Sequence, residues 1–388
     1  MHSVVESLIL IFAGSALLAT LALYTRQPLI VAYIAIGMIV GPHALGWVAD
    51  ADLLQELAEI GIIFLLFLVG LDLEPGKLLR LFRKGLITAC VSSLVFFGSG
   101  FGLMRSFGFT STEALITGLA LMFSSTIVGL KLLPTTVLHH RPIGELVVAL
   151  LLLQDLIAIL ALIVLEGSGS DITATLTGIG TALAMLPVLI VAAFLGVRYL
   201  LLPLLKRFDS FPEFLFLMAL GWCLGLAWCA ETLGMSLEIG AFIAGVSLAT
   251  TPLARYIALS LHPLRDFFLV LFFFSIGAGV NPALLAEVLL PVLALSLIVI
   301  LLKPVTFFGL LRLQGESEPI AKEAGFRLGQ ASEFSLLLAY VAGARGLLGA
   351  EAAHVILGAT VLTLVLSTYA VIFRYPSPIA PDPRLRRD

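Results

Sequence analysis

The chain is 388 residues long; 60% are hydrophobic, only 12% are charged, and the formal net charge is −3. A soluble domain carries about 25% charged residues, so half the expected charge is missing and a soluble globular class is excluded. With a mean hydropathy of +1.12 and apolar stretches of about 20 residues, each able to cross a hydrocarbon core of roughly 30 Å, the expected fold is an all-α polytopic membrane protein in a lipid bilayer.

Apolar runs between polar or Pro/Gly breaks predict thirteen transmembrane spans. They lie near 4–24, 28–41, 54–72, 85–104, 113–133, 145–165, 173–203, 213–233, 237–250, 264–280, 283–312, 323–343 and 349–373. The first is not a cleaved signal peptide: MHSVVES has no positive n-region and no A-x-A-like site follows. The second and ninth are short and contain glycine, which predicts tilted, interrupted or tightly packed helices. Cys90, Cys223 and Cys229 lie inside apolar stretches and read as packing residues rather than disulfide or metal ligands.

Lysine and arginine orient the stack. Loops after odd-numbered spans and the tail hold Arg26, Lys77, Arg80, Arg83, Lys84, Arg141, Lys206, Arg207, Arg255, Lys322, Arg374, Arg384, Arg386 and Arg387. Loops after even-numbered spans hold only Arg105 and Arg345. The positive-inside rule places the N-terminus outside and the C-terminus in the cytoplasm. A wrong span count would have scrambled the alternation.

Two segments read alike. IFLLFLVGLDLEP (63–75) and VLFFFSIGAGVNP (270–282) match at Phe67/Phe274, Gly70/Gly277 and Pro75/Pro282, an offset of 207, and VAYIAIG (31–37) resembles GAFIAGV (240–246). The copies are seven spans apart, an odd number, so they would be inverted relative to one another. That is the sequence sign of a secondary transporter with a midplane site, against the plainer alternative of chance similarity between glycine-containing helices. The expected repeats cover about 4–165 and 213–373, joined by a linker helix at about 173–203. The same offset sets FSST (123–126) opposite QASE (330–333). Such clusters either satisfy a helix that unwinds inside the membrane or act as interhelical hydrogen-bonding glue.

The run LLLLQDLIAILALIVL (150–165) is broken only by Gln154 and Asp155. Asp155 lies about ten residues, ~15 Å, from either end of its span, where a carboxylate costs about 2.5–3.5 kcal/mol on insertion scales. Burial penalises the charged form and a nearby cation favours it, so such a group holds a proton or a cation but not both. Lys303 is the second buried charge, followed by Pro304, which should kink or loosen its helix. It reads as an ion pair with Asp155 or Glu333, or as a side chain snorkelling to the cytoplasmic side. Asp72, Glu74, Glu231 and Glu238 sit near span ends and suit solvated or entrance roles; Glu6, His43 and His354 read as interfacial.

Six ordered blocks, GLDLEP (70–75), FSST (123–126), LLQD (152–155), GMSLEIGAFIAGV (234–246), FFFSIGAGV (272–280) and LGQASEF (328–334), together resemble the monovalent cation:proton antiporters of the cation/proton antiporter-2 type. They are most similar to the membrane domain of Kef-type potassium/proton antiporters, over essentially the whole chain. The resemblance implies the thirteen-helix fold, unwound crossing helices beside the ion site, a core domain moving against a dimerisation domain, and a homodimer. It implies that Asp155 binds the proton or cation with Gln154 as its neighbour. Ser125 and Thr126 would belong to one unwound segment, Gln330, Ser332 and Glu333 to the other, and Lys303 would pair with the aspartate. Kef-type proteins continue into a cytoplasmic nucleotide-binding domain. Here the sequence ends in a short tail, 374–388, with no GxGxxG: either it stops short of such a domain or it is a naturally short, differently regulated member. Nucleotide or glutathione gating is therefore not assigned to it, and a separate cytoplasmic regulatory domain or subunit is kept among its expected partners.

The expected activity is exchange of potassium, in preference to sodium, for a proton. With one central carboxylate it would be electroneutral, serving pH homeostasis in a bacterial inner membrane. Sodium/proton exchange by the same fold and a gated, channel-like potassium efflux pathway are the alternatives. No cofactor beyond the transported ions, no nucleic-acid partner and no enzymatic activity are expected; no Ser/His pair or second aspartate motif supports an intramembrane hydrolase.

Overall fold

A computed structural model describes residues 4–48, 51–72, 75–133, 142–166, 185–208, 211–233, 235, 237–378 and 380–386. Sixteen helices carry the described chain. They are α1 (Val4–Tyr24), α2 (Leu29–Val40), α3 (Ala51–Asp72), α4 (Pro75–Ser106), α5 (Ser111–Leu121), α6 (Thr126–Lys131) and α7 (Pro142–Glu166). α8 (Met185–Arg207) follows. The rest are α9 (Pro212–Thr232), α10 (Leu237–Ala249), α11 (Ala254–Ala278), α12 (Pro282–Glu287), α13 (Leu289–Leu313), α14 (Glu318–Arg327), α15 (Glu333–Ala344) and α16 (Ala350–Ile372). Backbone polar groups cannot stay unpaired in hydrocarbon, and a helix pairs them within one segment. Among the described residues six helices, Val5–Tyr24, Gly85–Ser106, Met185–Arg207, Glu213–Thr232, Leu289–Leu313 and Ala350–Ile372, are long and apolar enough to cross a membrane.

The differences from the predicted spans have local causes. The span expected at 85–104 begins ten residues earlier: Pro75 occupies the first helical position, where its missing N–H is harmless, and a basic segment precedes the apolar run. The spans expected near 113–133 and 323–343 are each two helices, α5 with α6 and α14 with α15. α13 runs through Pro304 without a break. α8 accommodates Pro203 by a π turn over Val197–Leu201, where the Leu202 N–H reaches the Val197 carbonyl. The first part of the span expected at 173–203 lies outside the described residues, as do Glu74, Arg141 and Arg387 and the side chains of Asp72 and Glu238.

The chain divides into two compact units, and each draws on both expected repeats. The first comprises 1–49, 81–158 and 276–388; the second comprises 50–80 and 159–275. In the second, α3 crosses α10 so closely that a Cβ on Gly70 would overlap the Phe242 carbonyl and one on Gly245 the Phe67 carbonyl. Around that crossing Phe67, Leu71, Leu201, Cys223, Ala244 and Leu248 form a continuous core. In the first unit the end of α11 meets α2 in the same manner, with Gly277 against the Ile34 carbonyl. Small residues let helix backbones approach where no hydrophobic effect drives them together, and the contact pairs 70 with 242 and 277 with 34, close to the offset read from the sequence. After α16 the chain turns back, with Ser377 N donating to Leu385 O at 2.9 Å.

Candidate functional site

The first unit carries both helix breaks. Residues 122–125 between α5 and α6, and 328–332 between α14 and α15, are not helical. Each restart is capped by a serine: Ser125 Oγ accepts from Val128 N at 3.1 Å, and Ser332 Oγ accepts from Phe334 N at 3.1 Å. The two breaks also bind each other. Ser124 Oγ donates to the Leu328 carbonyl at 2.8 Å and Gln330 Nε2 donates to the Ser125 carbonyl at 3.4 Å; beside them, Ser335 Oγ of α15 donates to the Ala120 carbonyl of α5.

Gln154, in α7, closes on the first break from the side. Its Oε1 accepts from Ser124 N at 3.1 Å and its Nε2 donates to the Met122 carbonyl at 3.2 Å. Both ends of the amide are therefore spent on unwound backbone, which gives Gln154 a holding role beside the carboxylate. Asp155, the next residue, is 2% exposed. Thr126 Oγ1 lies 3.2 and 3.3 Å from its two oxygens and donates to the carboxylate. Glu333, first residue of α15 and 3% exposed, lies close enough for its charge to act on Asp155.

Lys303 differs from its expectation. It is 1% exposed, so it does not snorkel, and among the described residues no carboxylate lies within ion-pair distance of its ammonium. Its Nζ donates instead to the Phe123 carbonyl, to the Gln330 carbonyl at 3.0 Å and to Ser124 Oγ at 3.4 Å. It also sits 5.0 Å from the centre of the Phe96 ring. Phe123 follows the C-terminal end of α5 and Gln330 that of α14, the negative ends of both half-helix dipoles. The physical reason for the correction is that two carbonyl-rich helix ends converge on one ammonium and use up its donors.

The structure thus brings Gln154, Asp155, Ser125, Thr126, Lys303, Gln330, Ser332 and Glu333 into the region of the two breaks. Ser124 and Ser335 were missed by sequence reasoning, although Ser124 stands inside the same FSST motif and is fully buried. Glu6, His43 and Glu231 are exposed. His354 is engaged structurally: its Nε2 accepts from Asn281 N at 2.9 Å and its Nδ1 lies 2.6 Å from the Ala350 carbonyl. The three cysteines are free thiols. Chemically, the site offers a buried carboxylate, a hydroxyl donor and a second carboxyl nearby, with the neighbouring cation committed to backbone.

Residues 9–373 match the family model described as sodium/hydrogen exchanger, transmembrane. The chain is 30% identical over 344 residues to the iron transporter MagA of Paramagnetospirillum magneticum (strain ATCC 700264 / AMB-1), covering 89% of this chain and 79% of that protein. It is 33% identical over 355 residues to K(+) efflux antiporter 4 of Arabidopsis thaliana, covering 87% of this chain but only 58% of that protein's length. Its fold matches that of the sodium proton antiporter MjNhaP1 from Methanocaldococcus jannaschii at pH 8, with a TM-score of 0.69 at 18% identity over 94% of both chains.

Proposed function

The chain belongs to the transmembrane sodium/hydrogen exchanger family, and on that premise we propose that it exchanges potassium, in preference to sodium, for a proton at Asp155. As a family member it is a multi-pass membrane transporter and not an enzyme, and it needs only its transported ions. The observation that carries the proposal is the Thr126 hydroxyl on a fully buried Asp155 at the point where two helices break. A proton or a bare cation neutralises that carboxylate equally well, and the two compete. Unwound backbone beside it offers oxygen ligands, the donors that suit hard monovalent cations. Alternating exposure of the site to the two sides then couples one flux to the other.

Exchange is one for one. Lys303 donates to Phe123 O, Gln330 O and Ser124 Oγ, so cation entry at Asp155 displaces no lysine and releases no second proton from it. Potassium is favoured by the likeness to the plant K(+) efflux antiporter, and sodium is the alternative carried by the fold neighbour. Iron, in the name of another relative, fits less well. Among the described residues no group of three His, Cys, Asp or Glu side chains gathers to hold a transition metal. The division into two units supports a core that moves against a dimerisation unit in a homodimer. The reciprocal glycine crossings support two inverted repeats. The alternation of Lys and Arg between loops supports thirteen crossings, with the N-terminus outside and the C-terminus in the cytoplasm of a bacterial inner membrane. The greater length of the plant relative leaves room for a regulatory domain or subunit acting on this chain.

Proteoliposomes carrying a pH gradient and a trapped pH dye test the reading. Added potassium is expected to dissipate the gradient at a lower concentration than sodium, without changing membrane potential. A gradient untouched by either ion overturns antiport; dissipation by sodium alone removes potassium; current without proton movement selects the channel-like pathway.

A further inference from the structure

α16 is an unbroken, apolar helix, yet it carries four fully buried hydroxyls: Thr360, Thr363, Ser367 and Thr368. Inside a transmembrane helix a hydroxyl ordinarily bonds the carbonyl one turn back, as Thr368 does to Leu364 O at 2.8 Å. Two of the four reach elsewhere. Ser367 Oγ donates to Gln330 Oε1 at 2.9 Å. Thr363 Oγ1 donates to Thr360 O at 3.0 Å and with its remaining lone pair accepts from Ala331 N at 3.1 Å. Both targets are adjacent residues of the second helix break.

The Gln330 amide can face only one way. The Ser125 carbonyl is an acceptor alone, so the nitrogen of Gln330 must face it. The oxygen then points at Ser367, whose hydroxyl must donate. From Ser125 the next residue is Thr126, whose hydroxyl lies on the Asp155 carboxylate. A line of hydrogen bonds therefore runs from α16 through Gln330 to the residue that precedes Thr126. Its longest member is the 3.4 Å contact between Gln330 and Ser125, the one most dependent on how the amide is held. Thr363 fixes the same segment a second time through its backbone.

We propose that Ser367 and Thr363 are positioning residues for the ion site: acting through Gln330 and Ala331, they hold the second break in the register that keeps Thr126 on Asp155, and so set the apparent affinity for the cation. The transport readout rests on the antiport reading; the structural readout does not. Neither hydroxyl reaches Asp155 itself, so maximal rate should change less than affinity.

The test compares Ser367→Ala, Ser367→Thr, Thr363→Val and Thr363→Ser with the wild type. Dye-filled proteoliposomes give KM and maximal rate for potassium, and hydrogen exchange follows the backbone amides of 328–333. Ser367→Ala and Thr363→Val are each expected to raise KM roughly fivefold, the effect of one net hydrogen bond, with a smaller change in maximal rate. Both are expected to speed exchange at 328–333, and the threonine and serine replacements, which keep the hydroxyl, to restore both readouts. An unchanged KM, a loss confined to maximal rate and yield, or Ser367→Thr as impaired as Ser367→Ala overturns the proposal. If the wild type moves no cation against protons, the antiport reading falls, and unaltered exchange at 328–333 in Ser367→Ala overturns the positioning role independently.

Discussion

The break at 122–125 borrows its partners from helices distant in sequence, with Gln154 of α7 on two of its backbone groups and Lys303 of α13 on a third. The break at 328–332 takes hydroxyls from α16 and from Ser124 of the first break, and it shares Lys303 with the first. The first delivers Thr126 onto Asp155, and the second delivers Glu333 nearby while bracing the first through Gln330 and Leu328. Two segments with the same sequence character therefore differ in what they touch: one presents Thr126 to Asp155, and the other is bonded to the first and to α16. Unwound backbone in hydrocarbon persists only where protein supplies every hydrogen bond, so the identity of the supplier decides what each break is free to do.

The largest expected effect removes what the first break presents. Asp155→Asn keeps the shape and the Thr126 contact but cannot exchange a proton for a cation; in the proteoliposome assay its signal should fall to that of protein-free vesicles, and wild-type-like exchange would move the site elsewhere. Next comes the shared support. Lys303→Met orphans the carbonyls of Phe123 and Gln330, at about 1–3 kcal/mol each, so it should lower the melting temperature and speed hydrogen exchange in both breaks at once. Acceleration in one break alone would show that the ammonium does not tie them together.

Gln154→Ala separates the breaks. It removes one acceptor and one donor from the first break only, a destabilisation of roughly 1–3 kcal/mol, so exchange should quicken at 122–126 and stay unchanged at 328–332. Because the amide holds backbone, the potassium-to-sodium preference should survive; a reversed preference would make Gln154 an ion ligand.

The smallest effect lies where the chain leaves α16. Arg327 of α14, fully buried, donates to the Leu132 carbonyl just beyond α6 at 2.9 Å, to Pro376 O at 2.8 Å and to Glu323. Tyr375 packs beside Phe326. Burial, then Glu323, push the Tyr375 phenol above its ordinary value, against a smaller opposing pull from Arg374 and Arg327. A raised value means that the docked tail prefers the protonated phenol, so its contribution is intact below the usual tyrosine range and is lost as pH rises through the folded value. Cleavage of the tail by an alkali-tolerant protease should therefore increase as pH rises above the ordinary tyrosine value of about 10. Tyr375→Phe should remove that step, and an identical step in the variant would assign it to another group.

Much of this architecture was legible. Composition alone required a membrane, and the described residues of the predicted spans are largely helical because hydrocarbon leaves few other options for the backbone. The two breaks were visible as FSST and QASE, since polar clusters in matching positions stand out against apolar runs. Asp155 was visible for the same reason. The roles of Gln154 and Lys303 were not. Their contacts span 30 to 32 and about 180 residues, and a buried lysine in a sequence suggests a carboxylate partner as readily as a carbonyl one. Ser367 and Thr363 were least legible, because a hydroxyl bonded one turn back and a hydroxyl bonded across the core look alike in one dimension.

The sequence by itself determined a polytopic helical membrane protein, a carboxylic acid in the middle of an apolar run, and two polar clusters in matching positions. These follow from hydropathy and chain length, which are local sums. Only the tertiary structure decided which side chains meet the broken backbone. That left Lys303 on carbonyls and Gln154 as a clamp, because hydrogen-bond assignment depends on which donors and acceptors converge in space. Convergence over 180 residues of chain leaves no periodic trace.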